Sequence, residues 1–156
     1  MTRAEAETAT VLWKTATRLV GAVAAGKIIN LSTARSQVIG GLVFGQSMAL
    51  EEHSEMDHHF GRFMNHNIAE YHIPVNADIH EIDVIFVKEY DVMASPIGVK
   101  GLGEIGIVGT AAAIANAVYH ATGKRIRDLP ITLDKAMPDL EGPVLTENAS
   151  MTSAQI

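Results

Sequence analysis

The 156-residue sequence contains no cysteine. That absence excludes disulfides, thiolate metal ligands, cysteine-ligated iron–sulfur clusters and a cysteine nucleophile within this chain. Aromatic residues are scarce at 5%, and charged residues make up only 19%. Hydrophobic residues reach 47%, a globular composition lean in charge. Lys and Arg number 12 against 18 Asp and Glu, giving a net charge of −6 with His neutral. The cations form no stripe, and phosphate neutralisation needs clustered ones, so no nucleic-acid partner is expected. Leu19 to Ile29 is too short to span a bilayer and is interrupted by Lys27, so no membrane partner is expected either. Arg3, Glu5 and Glu7 precede any apolar run, which makes a poor export signal. The expected location is the cytoplasm, or the periplasm where a partner carries the signal.

Glycine, by contrast, is concentrated. Between Gly98 and Gly109 there are five glycines in twelve residues, with a single carboxylate, Glu104, among them. Glycine costs backbone entropy and is useful where φ is positive or where something must approach the chain closely. A glycine loop opening onto a helix can present backbone N–H groups to a polar or anionic ligand. Glu104 then stands at the mouth of such a site. The plainer alternative is a turn with a solvent-facing glutamate.

Along the chain, residues 1–20 read as a helix and Val20 to Ile29 as a strand disturbed by Gly21 and Gly26. Asn30 to Thr33 is a turn with Ser32 or Thr33 as cap. Ala34 to Ala49 reads as a helix, with Val38, Leu42, Gly45 and Ala49 on one face. Small residues on that face predict close packing. Gly40 and Gly41 cost about 1 kcal/mol each in mid-helix, so packing or a ligand is expected to require them. Glu51 to Gly61 is an exposed connector or hairpin, and Phe63 to Ile73 a short irregular strand. His80 to Glu89 gives the clearest strand pattern. Ile105 to Ala121 reads as one helix, apolar on nearly every side, ending at Gly123. A short helix follows over Thr132 to Met137. The fold class is α+β. A helix apolar all round and a lone strand both need partners, so the chain reads as a piece of a larger domain.

Five landmarks carry a family resemblance. They are Gly26-Lys27-Ile28-Ile29-Asn30; Ser36-Gln37-Val38-Ile39-Gly40-Gly41-Leu42-Val43-Phe44-Gly45-Gln46; Asn67 to Pro74 ahead of Ile82 to Val87; Gly98 to Gly109; and Ala115 through Gly123 to Leu129-Pro130-Ile131. In this order they resemble the C-terminal end of the molybdenum-binding subunit of xanthine dehydrogenase and aldehyde oxidoreductase type enzymes, the molybdenum hydroxylases. The resemblance divides the chain into an atypical N-terminal segment (1–25), the C-terminal part of a molybdopterin-binding domain (26–138) and a tail (139–156) expected to be disordered.

The resemblance implies an activity, hydroxylation of aldehydes or N-heterocycles, and a cofactor, molybdopterin with molybdenum, in its cytosine dinucleotide form. It implies Glu104 as the base at molybdenum and Gln37 as a pterin-binding amide. It also implies that Gly98, Lys100, Gly101 and Gly103 shape the cofactor wall. Lys100 reads equally well as solvent-facing charge. The implied partners are the remainder of the molybdenum-binding subunit, iron–sulfur and flavin (FAD) subunits, and a small-molecule substrate. The isolated chain is expected to be inactive. The alternative from another class is a non-catalytic remnant or interaction module. His53, His58, His59, His66, His72 and His80 cluster near Glu51, Glu52, Glu55 and Asp57, but no spacing matches a recognised metal site, and no metal ligands are assigned.

Overall fold

The computed structural model describes residues 16–137. The expectations for residues 1–15 and for the tail 139–156 lie outside the described residues. Residues 18–20, expected in a helix, belong instead to strand β1 (Arg18–Val23). Strand β4 (Glu81–Phe86) pairs with it in parallel, from Arg18 opposite Glu81 to Val23 opposite Phe86. The β-branched run Ile82, Val84 and Ile85 explains the second strand, and the backbone partner explains why the first forms despite Gly21. Gly21 faces inward: a Cβ there would lie 3.1 Å from Val38 and 3.2 Å from Leu42. The opposite face carries Arg18, Val20, Ala22, Glu81, Asp83 and Ile85. Its Arg18 guanidinium donates to Asp83 at 2.6 Å, and Val20 and Ile85 stay about half exposed.

Helix α1 (Leu31–Leu50) begins earlier than its sequence suggests, because Asn30 caps it rather than Ser32 or Thr33. The Asn30 side chain accepts the Thr33 N–H at 3.1 Å, and its backbone is extended. The buried face of α1 runs through Ala34, Val38, Gly41, Leu42, Gly45 and Ala49, the three- and four-residue spacing of one helix side. This face packs on the sheet and on the later helices.

A two-stranded hairpin follows, β2 (Met56–Asp57) with β3 (Arg62–Phe63). The strand expected over Phe63 to Ile73 stops at Phe63. Beyond it, Asn65 and Asn67 side chains accept backbone N–H groups from Glu55 and Ala69, and these local bonds replace a ladder. A 3-10 turn at Asn76–Asp78 is held to α1 by the buried amide of Gln46, which donates to the Asp78 carbonyl at 3.1 Å.

The single helix expected from residue 105 is two: α2 (Ile105–Val108) and α3 (Thr110–Thr122). The break at Gly109 lies beside Thr110, whose hydroxyl bonds back to the Gly106 carbonyl at 2.7 Å. Gly123 ends α3 with φ of 74° and its N–H on Tyr119, as a left-handed C-terminal glycine does. Helix α4 (Leu133–Ala136) closes the described chain. Ala49, Ile114, Ile126, Ile131 and Ala136 form the core where α1, α3 and this last segment meet. Ile105 and Val108 on α2 remain exposed, as does one side of α3.

Candidate functional site

The glycine-rich segment is fixed at its start by the turn that follows β1. Lys27 donates its N–H to the Gly98 carbonyl at 2.7 Å, and Lys100 donates to Ala25 at 3.2 Å. Between these bonds Gly26 faces Val99 in an antiparallel bridge. Gly26 has φ of +64°, and a Cβ there would sit 2.3 Å from the Gly98 oxygen. No other residue fits. Gly98 is equally constrained, with φ of +74° and the Tyr90 ring 3.1 Å from where its Cβ would be.

The far end of the segment is fixed by α1. A Cβ on Gly106 would lie 2.9 Å from the Val38 carbonyl, and one on Gly41 3.0 Å from the Gly106 backbone. A Cβ on Gly45 would meet Thr110 at 2.3 Å. The predicted close packing is therefore real for Gly41 and Gly45. Gly40 has no heavy atom within 4 Å of a notional Cβ, so packing within the described chain does not require it. This junction sets Glu104, two residues before Gly106, at the N-terminus of α2. Its carbonyl accepts the Ile107 N–H at 3.1 Å. Its side chain is exposed and caps nothing.

Between the two anchors lies an open cleft of about 390 Å³, lined by Lys27, Ile28, Asn30, Gln37, Lys100 and Leu102 among others. Gln37 and Lys100 thus share one cavity. Gly98, Gly101 and Gly103 are interspersed with its lining residues Val99, Lys100 and Leu102 along the same backbone. Glu104 stands next to that wall rather than in it. Gly101 and Gly103 have no heavy atom within 4 Å of a notional Cβ, so the space over them is open.

Lys100 is not plain solvent-facing charge. Its ammonium donates to Glu89 at 2.7 Å and lies 3.1 Å from Asp91. The hydrogen bonds to Glu89 and then Asp91 hold the ammonium above its ordinary pKa. The bond from Lys100, with those from the Ala94 and Met93 backbone, holds the Asp91 carboxyl below its own. Sequence reading missed Glu89, Asp91 and Tyr90. The only signal was a pair of acids flanking an aromatic in the loop ahead of the glycines. Among the described residues, no three His, Asp or Glu side chains gather as a metal site. His66 instead sets its Nδ1 3.0 Å from the Phe63 carbonyl.

Known proteins share this sequence and fold. A family described as "Molybdopterin cofactor-binding domain" matches residues 1–80. The chain is 51% identical over 123 residues to the aldehyde oxidoreductase molybdenum-binding subunit PaoC of Escherichia coli, covering 79% of this chain and 17% of that one. It is 38% identical over 118 residues to the putative xanthine dehydrogenase molybdenum-binding subunit XdhA of the same organism, covering 76% and 16%. The crystal structure of the aldehyde oxidoreductase from Desulfovibrio desulfuricans superposes with a TM-score of 0.68 at 30% identity, over 80% of this chain and 14% of that one. The chain spans about one sixth of the length of the curated relatives it matches. Its α+β fold is accordingly a portion of a larger molybdopterin-binding domain. With a family match over half the chain and the same fold beneath it, the chain belongs to the molybdopterin-binding family of the xanthine dehydrogenase and aldehyde oxidoreductase enzymes.

Proposed function

We propose that this chain contributes the general base and one wall of the cofactor site to a molybdenum-dependent oxidoreductase that hydroxylates aldehydes or N-heterocycles. The observation that carries the reading is Glu104: an exposed carboxylate with no capping duty, set beside an open glycine wall by packing at both ends. The names of the relatives, an aldehyde oxidoreductase subunit and a xanthine dehydrogenase subunit, support the substrate classes.

The residues present fit a pterin. The exposed Gln37 amide offers both a donor and an acceptor on the cleft. Gly101 and Gly103 leave a bare backbone that a side chain would otherwise obstruct. Gly98 holds the turn that starts this wall, and Lys100 is one of its lining residues. When bound, the molybdenum–pterin group supplies the two-electron redox chemistry. The chain's own part is to orient that group and move a proton. Glu104 accepts the proton at a carboxylate oxygen, which requires hydrogen-bond reach of the reacting group. The remaining walls belong to the rest of the molybdenum-binding subunit, with electrons leaving through iron–sulfur and flavin partners. The cytosine dinucleotide form of the pterin is part of the same reading.

Glu104→Gln keeps the shape and removes the base. In the assembled, molybdenum-loaded enzyme it is expected to cut the rate of reduction by substrate by ~10²–10⁴-fold. Molybdenum content should hold. Reduction at the unaltered rate would sink the assignment.

A further inference from the structure

Lys100 ties its own stretch of chain to two others. Its backbone N–H bonds to Ala25 at the turn after β1. Its ammonium bonds to Glu89 and Asp91 in the loop after β4. Its own segment carries the glycine wall and, four residues on, Glu104. The two carboxylates accept from it at 2.7 and 3.1 Å, so the ammonium of this cleft-lining residue is already engaged. The ion group is only partly exposed, with about a quarter of the lysine side chain and a third of each carboxylate side chain accessible. The Glu89–Asp91 loop also brings Tyr90 against Gly98, at the turn where the wall begins. Carboxylates at 89 and 91 alternate with the aromatic at 90, so one short loop grips the wall by its charge and by its ring.

We propose that Lys100 is a positioning residue: by clasping Glu89 and Asp91 it fixes the glycine wall against the β1 turn and so fixes where Glu104 stands. The proposal rests on the reading of Glu104 as base. It assigns the Lys100 charge to the protein rather than to the cofactor.

The test compares Lys100→Met, Lys100→Arg and the double variant Glu89→Gln/Asp91→Asn in the assembled, molybdenum-loaded enzyme. Lys100→Met is expected to lower kcat by up to about 10²-fold, the scale of a 1 Å misplacement of a reacting group. KM and molybdenum content should stay unchanged, and Lys100→Arg should restore most of the rate. The double variant should lose as much as Lys100→Met, and combining all three changes should lose no more, because they remove one interaction. Amide exchange at positions 27 and 100 reads the clasp without reference to turnover, and it should quicken in Lys100→Met. Unchanged exchange at both positions, or an unchanged kcat, overturns the proposal. So does a loss of molybdenum in Lys100→Met that the double variant does not share, since the charge would then serve the cofactor. If Glu104→Gln proves fully active, the base assignment fails by itself, and quickened exchange still upholds the clasp.

Discussion

Glycines in α1 and α2 and glycines in the segment before Glu104 do opposite jobs. At Gly41, Gly45 and Gly106 the missing side chain makes room for other parts of the same chain, at distances of 2.3–3.0 Å from a notional Cβ. At Gly101 and Gly103 nothing in the described chain approaches, and neither needs a positive φ. The first set is explained by the fold. The second has no explanation in contacts within the described chain. One residue type thus marks both an internal seam and an outward-facing wall, and only the packing around each glycine tells them apart.

The seam breaks most easily at Gly45. Gly45→Val drives methyl groups into Thr110 and should destabilise the chain by about 1–3 kcal/mol, as overpacking does. Urea unfolding followed by circular dichroism measures it; a midpoint equal to that of the unaltered chain would show that the junction gives way freely. Gly103→Ala reverses the pattern. It should leave the unfolding midpoint nearly unchanged yet reduce molybdenum retained by the assembled enzyme, because the new methyl stands over the wall. Retention at the original level would mean that the open space serves no ligand. Gly40→Ala is the control within α1. With open space and helical φ it should stabilise the isolated chain by about 0.5–1 kcal/mol. A loss of stability only in the assembled enzyme would place another segment against Gly40.

The smallest effect concerns pH. Asp91 is depressed by its bond to Lys100, so its contribution to the clasp is present above the ordinary carboxylate pKa and is lost as pH falls through the lowered value. Lys100 is raised by Glu89 and Asp91, so its contribution is complete below 10.5 and is lost as pH rises through the higher value. Amide exchange at Lys100, corrected for its intrinsic pH dependence, should therefore be flat between these limits and quicken beyond either. A step near neutral pH would point to a different group.

Much of this was legible in the residues, and the rest was hidden for physical reasons. The apolar alternation of Ile82, Val84 and Phe86 identified β4, and Gly123 identified the end of α3. Asn30 was overlooked as a cap because Ser32 and Thr33 are equally good cap residues in isolation. Only the extended backbone at Asn30 decides between them. The break at Gly109 was invisible because the apolar run continues through it without a proline, and the Thr110 hydroxyl bond to the Gly106 carbonyl leaves no periodic trace. Glu104 and Gln37 could be nominated from motifs. The partners of Lys100 could not, since Glu89 and Asp91 lie 11 and 9 positions earlier with no periodicity linking them. Gly40 and Gly41 look identical in sequence, but one faces the seam and the other faces open space.

The parallel pairing of β1 with β4 also dictates an order of assembly. Arg18 bonds to Asp83, 65 positions later, so this contact closes a long loop and cannot begin until β4 has left the ribosome. The hairpin of β2 and β3 rests on near neighbours and can form first, whereas the partners of α1 on α2 and α3 emerge later. The anchor at Gly26 and Gly98 spans a comparable distance and must come later still. The wall beside Glu104 therefore takes its shape only after the chain from β1 to Lys100 has emerged and closed on itself.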